Sequence, residues 1–88
     1  MIAGITKSGF KYEIHEDTAD NWELFELLSE LEENQLLLPK VLNAFLGTEQ
    51  VKRLKEHLRN KETGIVKTSA MQTELMEIIK SSKKIKNS

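Results

Sequence analysis

The chain has 88 residues, 39 % hydrophobic and 31 % charged, with a formal net charge of −1. That length admits one domain with a modest core, and that balance excludes a chain disordered through most of its length. It has no cysteine, so disulfides, thiolate metal sites and cysteine nucleophiles are excluded, and a reducing cytosol suits it.

Residues 1–7 do not read as a signal peptide, because their apolar run is short and is broken by Gly4, Thr6 and Lys7. Nowhere does the sequence reach the roughly 20 apolar residues needed to span a bilayer. Residues 2–6 and 10–15 read as two short strands. In the second, Phe10, Tyr12 and Ile14 alternate with Lys11, Glu13 and His15, the period of a half-buried strand. Lys7, Ser8 and Gly9 between them predict a hairpin turn, which must pack on helices to be stable.

Asp17 or Thr18 is the expected cap of a first helix running to about residue 34. Leu24, Leu27, Leu28 and Leu31 form its apolar face, with Trp22 and Phe25 beside them. Glu23, Glu26, Glu30 and Glu33 form an acidic ridge. Leu36, Leu37, Leu38 and Pro39 mark a break, with Pro39 in the first turn of a second helix. That helix carries Val41, Leu42, Phe45 and Leu46 and stops at Gly47. Thr48 is the expected cap of a third, with Val51, Leu54 and Leu58 as its apolar stripe and Lys52, Arg53, Lys55, Arg59 and Lys61 over much of the rest. Residues 60–64 read as a turn, and Ile65 and Val66 as a short link or strand fragment. Thr68 or Ser69 is expected to cap a last helix that buries Met71, Leu75, Met76, Ile78 and Ile79. The expected architecture is thus mainly α, in the α+β class: an N-terminal β-hairpin and about four helices in a small bundle. Residues 1–80 form one domain, and 81–88 a basic, disordered tail.

Charge is divided along the chain. Residues 1–33 carry nine acids against two lysines, a net −7; residues 34–88 carry five acids against eleven Lys and Arg, a net +6. A chain of this kind can present two differently charged faces or associate head to tail. With no net basic character, it is not expected to bind nucleic acid.

Chemistry-bearing motifs are missing. His15 and His57 have no second histidine nearby, and neither His-Glu-x-x-His nor a calcium loop occurs, so no metal or cofactor is expected. Ser8 and Gly9 read as a turn, not a nucleophile elbow. Glycines at 4, 9, 47 and 64 are too scattered to cradle phosphate. The glutamate ridge reads as a solvated face ahead of an acid–base pair. No enzymatic role is expected.

Surfaces therefore carry the functional reading. The only Trp of a small domain usually fills its core, so Trp22 with Phe25 reads first as core and second as a docking pair. Three consecutive leucines between helices do not easily all face one core, so one of Leu36 to Leu38 is a candidate for exposure to a partner; the equal alternative is a buried helix–helix corner. The basic third helix reads first as a solvated charged face and second as a match for an acidic partner face, including the Glu ridge of a neighbouring copy. The candidate partner-binding residues are Trp22, Phe25, Leu36, Leu37, Glu23, Glu26, Glu30, Arg53 and Arg59.

Several segments together resemble the small tail assembly chaperones of long-tailed, siphovirus-type phages and prophages of Gram-positive bacteria. They are Ile5-Thr-Lys-Ser-Gly-Phe-Lys-Tyr-Glu-Ile14, Asp20-Asn-Trp-Glu-Leu-Phe-Glu-Leu-Leu28, Leu38-Pro-Lys-Val-Leu42, Leu46-Gly-Thr-Glu-Gln50, Leu54-Lys-Glu-His-Leu-Arg59, Gly64-Ile-Val-Lys-Thr68, Glu74-Leu-Met-Glu-Ile78 and Lys86-Asn-Ser88. The resemblance implies a cytoplasmic chaperone that binds the long, helical tape-measure protein and keeps it soluble. It further implies tail-tube subunits as a second client, self-association into oligomers, and absence from the mature virion. Many relatives have a longer frameshifted product, of which this chain would be the shorter form. The family has no catalytic residue to carry over. The alternative expectation is a small phage regulatory or DNA-associated protein, since Gly47 and Thr48 between two helices loosely resemble a helix-turn-helix.

Overall fold

In a computed structural model, which describes residues 1–87 and side chains through Ser81, the chain opens with an antiparallel hairpin. Strands β1 (Ile2–Ile5) and β2 (Lys11–Ile14) pair with Ile2 opposite Ile14 and Gly4 opposite Tyr12. Ile2, Tyr12 and Ile14 are buried while Lys11 and Glu13 face solvent, as the period of two predicts. At the turn, Gly9 takes φ 93°, and its amide donates to the Thr6 carbonyl at 2.9 Å. Gly4 leaves room for the Tyr12 ring: a Cβ there would lie 2.5 Å from the Tyr12 hydroxyl.

Five helices follow: α1 (Glu16–Ala19), α2 (Trp22–Leu31), α3 (Leu38–Leu46), α4 (Thr48–Leu58) and α5 (Thr68–Asn87), with a 3₁₀ turn at Gln35–Leu37 before α3. The first expected helix is therefore split, and neither Asp17 nor Thr18 caps it. His15 caps α1, its Nδ1 accepting from the Asp17 amide. Asn21 caps α2, its Oδ1 accepting from the amides of Glu23 and Leu24. The Asn21 amide bonds satisfy donors that would otherwise need the preceding turn, so the chain can change direction there.

Pro39 lies in the first turn of α3 as predicted. Gly47 both ends α3 and precedes α4. Its amide donates to Asn43 O, its carbonyl accepts from Val51 N, and its φ of 82° and ψ of 158° are glycine geometry. Thr48 is thus inside α4, not its cap. Similarly, Lys67 O accepts from the amides of Ala70 and Met71, which puts Thr68 and Ser69 inside α5. Residues Ile65 and Val66 form no strand. They leave the turn in which Asn60 Oδ1 accepts from Glu62 and Thr63 and Gly64 takes φ 75°. Of the tail expected at 81–88, the part beyond Ser81 lies outside the residues with described side chains.

Helix α3 is the centre of the fold. It contacts α1, α2, α4 and strand β2, while α5 packs against α4 and β1. Val41, Leu42, Leu54, Leu75 and Ile78 are fully enclosed. Each such side chain contributes about 1.5–3 kcal/mol relative to exposure. Two polar clasps fix the hairpin on this core. The Gln50 side chain accepts from Glu13 N and donates to Glu13 O, both at 2.7 Å, occupying an outward-facing amide and carbonyl of β2. On the other side, the Glu77 carboxylate accepts from Lys7 N at 2.7 Å. The Met1 ammonium lies 3.1 Å from Glu16 Oε1; that hydrogen bond and charge hold the Glu16 carboxyl below its ordinary pKa. No helix is long and apolar enough to cross a membrane among the described residues.

Candidate protein-docking surface

On α2, Leu24 is buried and Leu27, Leu28 and Leu31 pack partly against the core. Trp22 and Phe25 do not join them. They are 70 % and 58 % exposed and stack on each other, ring centroids 5.7 Å apart with 24° between planes. The core reading of this pair is therefore corrected. Four leucines already fill the inner arc of α2, and at about 100° per residue Trp22 projects roughly opposite Leu31.

The aromatic pair borders a groove of about 550 Å³ between α2 and α5, whose apolar lining is Phe25, Leu28, Leu31, Met76 and Ile79. Met76, expected in the core, is 47 % exposed here; Met71, Leu75 and Ile78 occupy the inner face of α5. Glu23, Glu26 and Glu30 are exposed along α2, with no ion pair among the described residues. Beyond the end of α2, Leu36 is 88 % exposed, Leu37 half-buried and Leu38 buried, so the three leucines divide as their crowding predicts. Leu36 lines a second groove of about 570 Å³ with Leu38, Val51 and Met71, flanked by Lys52 and Lys55.

The remaining candidates lie on α4 and have partners within the chain. The Arg53 guanidinium lies 5.9 Å from the centre of the Phe10 ring, a cation–π contact. Arg59 donates to both oxygens of Glu56 and, at 2.8 Å, to Gly64 O, closing the turn after α4. The structure thus brings Trp22, Phe25, Glu23, Glu26 and Glu30 together on one helix, puts Leu36 and Leu37 just past its end, and leaves Arg53 and Arg59 elsewhere.

One polar cluster resembles a catalytic arrangement. The Thr6 and Ser8 hydroxyls donate to Glu74 Oε1 at 2.8 and 3.0 Å, and His57 Nε2 lies 3.2 Å from Ser8 Oγ. The same Nε2 is 2.9 Å from Ser8 O. A carbonyl only accepts, so Nε2 carries the proton and cannot take one from Ser8. Glu74 contacts the serine and not the imidazole. The arrangement lacks the order of a nucleophile–base–carboxylate relay and instead ties the hairpin turn to α4 and α5. His15 instead caps α1, and no group of three or more potential metal ligands converges among the described residues. Helices α3 and α4 are joined by Gly47 alone, shorter than the roughly three- or four-residue turn of a helix-turn-helix.

No family model, curated protein or solved structure matches this chain.

Proposed function

We propose that this chain is a tail assembly chaperone of a long-tailed phage or prophage of Gram-positive bacteria. It binds the tape-measure protein in the host cytoplasm, keeps it soluble while tail-tube subunits assemble around it, and does not enter the mature virion. It performs no catalysis and needs no cofactor. The observation that carries the reading is the solvent-exposed Trp22–Phe25 stack on α2. Large aromatics are costly to hold in water and are the residue types that anchor protein interfaces. Exposed Leu36 extends the apolar surface toward the corner before α3. A long helical client with unburied apolar stripes is the kind of protein that such a surface shields.

The test is co-expression with a tape-measure protein encoded in the same gene cluster. Retention of that protein on the tagged chain, and its loss from the soluble fraction without the chain, are expected. Failure to retain it, with normal tails in a deletion strain, would sink the proposal. A salt-dependent shift of duplex DNA would instead favour a DNA-associated role.

A further inference from the structure

The groove between α2 and α5 has a chemistry that narrows what can lie in it. We infer that it receives an amphipathic α-helix of another protein, with an apolar stripe flanked by lysine or arginine. This rests on the client-binding reading above and specifies the segment bound.

The floor sets the apolar half of the match. Phe25, Leu28, Leu31, Met76 and Ile79 line the groove, and Trp22 stacked on Phe25 prolongs it. Helix α2 has ten residues, about 15 Å, so roughly three turns of a bound helix span it. Both walls are helices whose backbone groups bond internally. They offer no strand edge, so a helix laid in the groove is the fitting mode.

Charge sets the other half. Glu32 lines the groove and Glu26 lies beside Trp22 at its outer edge, while Glu23 and Glu30 run along the far side of α2; these acids and Glu33 are all exposed, with no ion pair among the described residues. Glu23 with Glu26, Glu26 with Glu30, and Glu30 with Glu33 are like charges three or four apart, which repel on a helix. Glu30, Glu32 and Glu33 also crowd the C-terminal end of α2, where the helix dipole favours cations, and its last turn has no base. Both effects destabilise the free chain, and a cationic segment alongside relieves both. A second copy is a poorer occupant. Its basic helix α4 keeps Val51 and Leu54 buried and Leu58 half-buried, so it brings charge without an apolar stripe.

The experiment uses the whole chain and three synthetic peptides of about 16 residues. One has leucines at i, i+4, i+7 and i+11 with lysines elsewhere, the second has Glu for Lys, and the third has Ser for Leu. Trp22 is the only Trp, so its fluorescence reports on the groove directly. The first peptide is expected to bind and shift the emission to the blue, with the other two at least about tenfold weaker. Phe25→Ala and Met76→Ser should each weaken it by at least about tenfold with unchanged far-ultraviolet circular dichroism. A Glu26→Lys, Glu32→Lys double variant should shift preference toward the acidic peptide, which loss of folding cannot mimic. Equal binding of either control, or no binding of the first peptide, overturns the inference. So does a dimer that Phe25→Ala dissociates and the first peptide cannot enter, which would give the groove to a second copy. If the peptide fails but the tape-measure protein is retained, this inference falls and the proposed function stands. If the peptide binds but the tape-measure protein does not, the reverse holds.

Discussion

Glu74 is 4 % exposed and takes hydroxyl hydrogen bonds from Thr6 and Ser8 in place of a cation. Removing it takes the shared acceptor away from the Thr6 and Ser8 hydroxyls. Glu74→Ala should therefore destabilise the fold by about 1–3 kcal/mol in urea denaturation, and Glu74→Gln, which keeps an acceptor oxygen, by less. Its position was legible, since it lies three residues after Met71 and four before Ile78 and so shares their face. Its partners were not, because hairpin-to-α5 contacts cross almost the whole chain. At Gly4 the limit is steric: the buried Tyr12 ring occupies the space of a Cβ, so Gly4→Ala is expected to cost about 1–3 kcal/mol by the same measurement. The sequence misled most at Trp22. Its residue type argued for the core, whereas its angular position, about 160° from Leu24, argued for solvent, and position won.

Helix existence followed from periodicity, and helix ends did not. Asp17 and Thr18, the expected caps, are by residue type no better cap formers than Asn21, so residue type alone does not choose the start. The one used for α2 is Asn21, set by where Leu24 meets the core. Asn21→Ala should cost about 1 kcal/mol and reduce helicity by circular dichroism without abolishing folding. Gly47 shows the other kind of boundary. It has open space around its Cα, yet its φ of 82° and ψ of 158° fall in a region essentially confined to glycine. Gly47→Ala is thus expected to lose about 1–3 kcal/mol from backbone strain alone. That stop was readable because Gly ends an apolar periodic run; its second duty at the start of α4 was not.

Across the molecule, hydrophobic pattern was enough to foresee a hairpin on a helical bundle, because alternation and the spacing of the leucines are local properties. Which apolar residues remain outside depends on how helices share the core, and Leu36, Leu37 and Leu38 make this concrete. Their exposures fall from 88 % at Leu36 through half-buried Leu37 to buried Leu38, so the chain enters α3 by turning one leucine in and one out. Leu36→Ser should leave stability within about 0.5 kcal/mol. Leu37→Ser should cost roughly 1 kcal/mol, a fraction of the value for a fully buried Leu. Client retention separates surface from scaffold. If the apolar surface past α2 contacts the tape-measure protein, Leu36→Ser reduces the amount co-purified several-fold at unchanged thermal stability. Retention unchanged by Leu36→Ser but lost with Phe25→Ala would confine the contact to α2 and its groove with α5.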